Sequence, residues 1–520
     1  MLAPDFPPPA FPDALIYADI PAAPLPRNAR RAGHADFLNL PDLESDPEIE
    51  EGKSLIYVKA EQVSVPTYPD CACEVKEVKA HTPFTMKRVL HVPQGRKSVV
   101  IDIKRRRWMC KEKSCRRTVT QPLGFMAEGH YKMTRRLLEY IEVQSLLSTE
   151  LSLSEETGVY VRTIREIRLK FVGRLEKEVK FDTPFVLGLD GVRADRRRRR
   201  VIFTDIEAGL VLDLIGSGSK ASVSDRIREF PGWEKIGIFT IDMDRTLLAA
   251  ILSVQPGAVI VVDRFHIVKI ANKVMDKVRN DLFPRDKARR EPGQPFRPRP
   301  EPFRKRRATL TKKDLEHMEY WYNKEIELRK GSKQHKESEL RLAYDLKEAF
   351  MEIFDEETYG GRKFMSKSAA RHFYENWLNR LPVTEELKPL LDSFRKIRSA
   401  MDNFGEYVLN YFDCRYTNAF TESMNRKIKD ILRDARGCDL ETVRARVVYG
   451  TYLMKQLRTA REAERQAVMP HSKRKNWRPP SAKGKGASKG KEAESGRGNG
   501  YKLPDLRQMA LDFTVEPHDT

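Results

Sequence analysis

The run Phe185-Val186-Leu187-Gly188-Leu189-Asp190-Gly191-Val192 places one carboxylate inside an otherwise apolar stretch. A short continuous apolar run reads as a buried strand, and an unpaired buried charge is costly, so Asp190 needs a reason to be there. Two more strand-like runs follow, Arg199–Asp205 and Leu210–Ile215, split by a turn at Ala208-Gly209; the three are expected to be adjacent and antiparallel. Beyond them the pattern predicts a helix over 222–230, a strand over 236–241 ending at Asp242, a helix over 246–253 and a strand over 258–262 ending at Asp263. Strands alternating with helices predict a mixed α/β sheet, on which Asp190 and Asp242 can converge at one edge.

Convergent carboxylates repel one another unless a cation sits between them. Mg²⁺ suits such a site because it takes oxygen ligands and keeps waters for a phosphate substrate. Two ions about 3.5–4 Å apart clamp both the attacking and the leaving oxygen of a phosphodiester. The competing reading of each aspartate taken alone is an ordinary strand-end or turn residue.

The bulk properties point the same way. The 520-residue chain is too long for one core and suggests three or four units. Its 40% hydrophobic and 33% charged composition suits a globular protein with some unstructured segments. A formal charge of +21 and a pI of about 9.5 imply a polyanionic partner, with nucleic acid first and a merely soluble basic protein second. No apolar run approaches the roughly 18–20 residues that span a bilayer. The Pro-rich start does not resemble a secretory signal. Six cysteines are too sparse for a disulfide scaffold, so a cytoplasmic location is expected.

Outward from the core, residues 1–60 read as an unstructured Pro-rich N-terminus and 65–122 as a small Cys-containing module. Residues 130–180 read as a helix-turn-helix region, and 184–284 as the first part of the core. A helical insertion is expected over 285–405, opened by a Pro- and Arg-rich stretch. Residues 406–467 read as the last part of the core, with helices over 421–432 and 440–466. Residues 471–520 read as a basic low-complexity tail that touches DNA diffusely.

Cys71-x-Cys73 and Cys110-x₄-Cys115 supply four thiolates, enough for a structural Zn²⁺ in a ribbon-like module. The one-residue gap is tighter than the usual two-residue knuckle, so His81 stands as a substitute ligand and reduced structural cysteines as the other reading. Cys414 and Cys438 read as ordinary thiols. In the run from Lys104 to Arg107, beside Trp108, Arg105 and Arg106 are candidate phosphate contacts, against a plain solvated strand. Over 151–170 the pattern is helix, turn at Gly158, helix. In a DNA-reading helix-turn-helix, Arg162, Thr163 and Arg165 would face the bases; an ordinary helical hairpin is the alternative.

Four segments carry a family resemblance: Leu-Gly-Leu-Asp-Gly-Val (187–192), Ile-Asp-Met-Asp-Arg (241–245), Val-Asp-Arg-Phe-His (262–266) and Thr-Asn-Ala-Phe-Thr-Glu-Ser-Met-Asn-Arg-Lys-Ile-Lys (417–429). Over roughly residues 65–460 the chain resembles bacterial insertion-sequence transposases of the ISL-three group. The resemblance implies an RNase H-like mixed-sheet core with a long helical insertion, preceded by a zinc-finger-like module and a DNA-binding region. It implies Asp190, Asp242 and Glu422 as the catalytic carboxylates that hold Mg²⁺ (two ions, or Mn²⁺), with Glu422 arriving on a helix after the insertion. Asn425 and Arg426 share a helix face with Glu422, to orient it or touch a phosphate. Lys427 and Lys429 are DNA-backbone candidates or simply a solvated basic face. Asp263 and His266 match a family signature as possible auxiliary residues, and a structural histidine stands beside the functional reading. Asp244 rivals Asp242 as second ligand; the family match and the strand-end position favour Asp242. The chain departs from the family pattern at Ser423, where glycine often follows the glutamate, and at Asp244-Arg245.

The function implied is binding of terminal inverted repeats in double-stranded DNA, followed by metal-dependent strand cleavage and strand transfer, in a homodimer or higher oligomer. Three rivals stand: a catalytically silent DNA-binding regulator derived from such an enzyme, a host nuclease on the same fold, and a basic nucleoid protein with no metal dependence. Loss of a carboxylate would favour the regulator, and all three are present.

Overall fold

The computed structural model describes residues 38, 40, 43–63, 71–73, 77–193, 199–284, 297–328, 337–354, 366–382, 387–434 and 439–468. These fall into two compact units, one drawn from Met1–Phe181 and Arg433–Arg465, the other from Asp182–Leu432 and Gln466–Thr520. Most of the Pro-rich N-terminus, the stretch 285–296, Cys438 and the basic tail lie outside the described residues.

The first unit opens with a mixed sheet of β1 (Leu43–Glu51), β2 (Leu55–Gln62), β3 (Val78–Gln94), β4 (Lys97–Cys110) and β5 (Thr118–Thr120), in the order β1-β2-β4-β3 with β5 also on β4. Residues 43–51 and 55–60, expected from sequence to belong to an unstructured N-terminus, lie in strands. Their signal is alternation: in β2, Ile56, Val58 and Ala60 are buried while Tyr57, Lys59 and Glu61 are not. The β3–β4 register shifts between His81 and Thr85, around Pro83, which lacks the N–H a ladder needs. Val89, Val99, Ile101, Ile103 and Phe125 share the sheet's core.

Three helices follow: α1 (Arg135–Leu147), α2 (Glu150–Thr157) and α3 (Val161–Glu178). Thr134 and Thr149 cap the first two through their side chains, and Gly158 ends α2 at φ 73°, where a left-handed conformation favours glycine. Leu137, Ile141, Leu153, Ile164 and Ile167 form their common core.

The second unit is built on β6 (Val186–Arg193), β7 (Arg199–Asp205), β8 (Leu210–Ile215), β9 (Ile238–Ile241) and β10 (Val259–Val262), in the order β10-β9-β6-β7-β8. β6, β7 and β8 are antiparallel, and β9 and β10 run parallel to β6. The mixed sheet and its three antiparallel strands match the expectation. α4 (Lys220–Arg228), α5 (Arg245–Val254) and the long α6 (Arg264–Leu282) carry the connections. The helical segment contains α7 (Pro300–Arg304), α8 (Lys312–Leu328), α9 (Glu339–Met351), α10 (Lys367–Asn379) and α11 (Lys388–Leu409). Trp377, fully buried, donates its indole N–H to the Leu346 carbonyl at 2.8 Å and anchors α10 to α9. α11 packs on α6 and β10. α12 (Tyr411–Cys414) then leads to α13 (Ala419–Asp434), and α14 (Leu440–Val468), which falls mostly in the first unit, closes the described chain. Among the described residues no helix is long and apolar enough to cross a membrane.

Candidate active site

Strand register does the first positioning. Leu189 of β6 pairs with Ile241 of β9, which pairs in turn with Val262 of β10. The next residue along each strand is an aspartate, so Asp190, Asp242 and Asp263 stand in a row at one edge of the sheet. In-register parallel strands make this unavoidable once each carries the same residue type at the matching position.

Asp190, 9% exposed, accepts from the Gly191 backbone N–H at 2.6 Å and from the Asn425 side-chain amide. Burial first, and then the neighbouring Asp242, push its carboxyl up to about 8. Asp242 receives the Asn418 amide at 3.2 Å on one oxygen, and His266 Nε2 lies 3.3 Å from the other. His266 Nδ1 lies 3.8 Å from Glu422, which α13 delivers to the same edge, and this buried atom has no hydrogen-bond partner among the described residues. Burial, then the charges of Asp242 and Asp263, hold the Glu422 carboxyl above its ordinary range. Donor atoms of Asp242, His266 and Glu422 lie within 4.8 Å of one another. Crowded carboxyl groups and a ring nitrogen with no hydrogen-bond partner among the described residues fit a divalent cation, with Asp190 beside Asp242 completing the oxygen-lined edge.

Asp263 and Asp244 serve differently. Asp263 caps α6 by accepting from Phe265 N at 2.8 Å, and its other oxygen accepts from Asn418 N at 3.1 Å. Asp244 caps α5 by accepting from Thr246 N at 2.8 Å and Leu247 N at 3.2 Å, and pairs with Arg199. Asn418 lies within the segment 417–429, yet nothing in its local sequence marks it. It becomes conspicuous only once its partners on three strands are seen.

α13 carries Glu422 close over the sheet. Thr421 meets Thr204 of β7, whose hydroxyl also donates to the Gly188 carbonyl at 3.2 Å. A Cβ on Gly188 would stand 2.5 Å from both threonine hydroxyls, so the close approach requires glycine there.

A family model described as transposase, for the ISL-three group of DDE transposases, matches residues 187–447, half of the chain. The chain belongs to this family of transposases. No curated protein matches the chain significantly. The transposase match spans all three candidate carboxylates, Asp190, Asp242 and Glu422, together with His266 and Asn425.

In the first unit of this transposase, the sulfurs of Cys71, Cys73, Cys110 and Cys115 lie within 4.8 Å of one another. Cys110 ends β4 and Cys115 follows in a turn closed by Cys115 N donating to the Glu112 carbonyl at 3.2 Å. Four thiols at this spacing fit a tetrahedral metal. His81 stays on β3 opposite Arg107, outside the set. Cys414 is a half-buried thiol on α12.

The basic candidates separate. Arg162 is exposed on α3 and Thr163 half-buried, whereas Arg165 pairs with Glu150 at 2.9 Å, as does the buried Arg168. Arg105 is half-buried and donates to the Gln121 carbonyl at 2.5 Å, while Arg106 pairs with Glu61 at 2.7 Å. On α13, Arg426 and Lys429 are exposed and Lys427 is half-buried.

Proposed function

We propose that this transposase cuts and joins DNA at the ends of its mobile element, using Asp190, Asp242 and Glu422 on an RNase H-like core to hold divalent cations. The observation that carries the reading is the meeting of Asp242, His266 and Glu422 within 4.8 Å, at an edge where Asp190 is also buried. Mg²⁺ or Mn²⁺ bound there supplies charge neutralisation and a more acidic water for in-line attack on a phosphodiester. Asn425 and the Gly191 N–H hold both oxygens of Asp190, fixing its orientation before substrate arrives. Asp263 is read as a positioning group, because both its oxygens are engaged by backbone N–H groups. His266 adds a ring-nitrogen donor between two carboxylates. Arg426, beside Glu422, and exposed Lys429 face the phosphate backbone, and the half-buried Lys427 supports them.

The first unit would recognise the terminal inverted repeats of double-stranded DNA. Its four cysteines would hold a structural Zn²⁺. α2 and α3 would act as a helix-turn-helix with Arg162 and Thr163 toward the bases; Arg165 is held by Glu150 and would orient the helix more than read sequence. Joining two ends calls for a homodimer or larger assembly, acting in the cytoplasm on nucleoid DNA.

The test is cleavage and strand transfer on the element's own end DNA under Mg²⁺ and Mn²⁺, with wild type beside Asp190→Ala, Asp242→Ala and Glu422→Ala. Wild type should cut and join, and each variant should bind the ends and do neither. Binding without cutting under either metal replaces the reading with a silent regulator; cutting without joining replaces it with a nuclease.

A further inference from the structure

Asn418 immediately precedes α13, a place where asparagine commonly folds its side chain back onto the first helical turn. Here the side chain reaches the sheet instead. It is 0% exposed, and its amide donates to the Leu189 carbonyl of β6 at 3.2 Å and to Asp242 at 3.2 Å. Its oxygen accepts from the Thr240 hydroxyl of β9 at 3.2 Å. A backbone carbonyl only accepts, so Leu189 fixes which end of the amide is nitrogen and leaves the oxygen to Thr240. The main chain is tied as well: Asn418 N donates to Asp263 beyond β10 at 3.1 Å, and its carbonyl accepts from Glu422 N at 3.0 Å.

One residue thus joins β6 and the ends of β9 and β10 to the first turn of the helix that carries Glu422. We propose that Asn418 is a positioning residue that fixes Glu422 in register with Asp242. It rests on the reading of this edge as a divalent-metal nuclease centre. A buried amide with every polar atom engaged has one geometry, and losing it leaves the Leu189 carbonyl, the Thr240 hydroxyl and one Asp242 oxygen without their partner. Residues that orient metal ligands typically change metal affinity or activity by about 10–100-fold, and an ångström of displacement at a reacting centre costs about 100-fold in rate.

The experiment compares wild type, Asn418→Ala, Thr240→Val and a control, Ser224→Ala, which removes a buried hydrogen bond between α4 and α5 of the same unit. Mn²⁺ affinity is read by calorimetry, kcat and KM on end DNA by cleavage, and folding by circular dichroism. Asn418→Ala should weaken Mn²⁺ binding about 10-fold or more and lower kcat about 100-fold with KM unchanged. Thr240→Val should move both in the same direction by less, and the control should move neither. A folded Asn418→Ala protein with wild-type Mn²⁺ affinity and kcat overturns the proposal. If that variant does not fold, wild-type values in Thr240→Val overturn it. Asn418-dependent Mn²⁺ binding in a wild type that never cuts DNA would leave the positioning role standing and remove the transposition chemistry alone.

Discussion

The hydroxyls of Thr204 and Thr421 lie 2.7 Å apart with both side chains fully buried, although 217 positions separate them in the chain. This contact sets the height of the Glu422 helix over the sheet, and Gly188 is the floor beneath it. A methyl group at Gly188 would collide with both hydroxyls at 2.5 Å and with Ile206 Cδ1 at 2.6 Å. Gly188→Ala should therefore cost about 1–3 kcal/mol of stability by overpacking and lift α13, lowering cleavage while end-DNA binding persists. Urea unfolding and a cleavage assay check both, and an equally stable, fully active variant would remove this account.

Asp242 and Asp244 are two residues apart and should behave as different kinds of residue. Asp244→Ala deletes the α5 cap and the Arg199 pair, so it should lower stability by about 1–2 kcal/mol while Mn²⁺ affinity stays close to wild type. Asp242→Ala should do the reverse, abolishing Mn²⁺ binding with little loss of stability. Calorimetric titration with Mn²⁺ on both variants decides, and a loss of metal in Asp244→Ala would exchange the two assignments.

The four-cysteine cluster predicts one zinc per chain after purification from zinc-replete medium, measured by elemental analysis. Cys110→Ser should abolish it, because Cys110 is the buried member at the end of β4. Zinc removal by a chelator should loosen the 110–117 turn and weaken end-DNA binding. Wild-type protein with no zinc would return the cysteines to plain reduced thiols.

His91 gives the first unit a pH dependence. It is 2% exposed, hydrogen-bonds with Thr134 at 2.9 Å, and is pushed down to about 4 by burial and then by the charge of Arg136. Between about pH 6.5 and 4 the unfolded chain holds a proton that the folded chain does not, so stability falls as pH drops through that window. The loss from this residue approaches about 3 kcal/mol at the acidic end. Hydrogen exchange of amides around β3 at pH 7 and pH 5 reads it. His91→Gln should flatten the dependence, and an unchanged slope would assign it elsewhere.

Much of this was legible locally. The alternation of apolar runs with helical spacing gave the five strands of the second sheet, and each ended near where the pattern said. The same reading put aspartates at strand ends and Glu422 on a helix, and the cysteine spacing nominated the four thiols that come together. The strands within 43–60 are not legible from sequence because proline and acidic residues mask a two-residue alternation, which in β2 is only eight residues long.

What the sequence by itself determined is which side chains are offered: a strand ending in a carboxylate, a helix carrying a glutamate, paired cysteines. These follow from periodicity and chirality within a few residues of chain. Only the tertiary structure decided how each is employed. Asp244 caps a helix beside Asp242, Arg165 turns to Glu150, Arg105 turns inward to Gln121, and Asn418 closes the strand edge through partners 155, 176, 178 and 229 positions away. A hydrogen bond across that separation leaves no periodic trace, because its partners become neighbours only after strand register and helix packing have placed them.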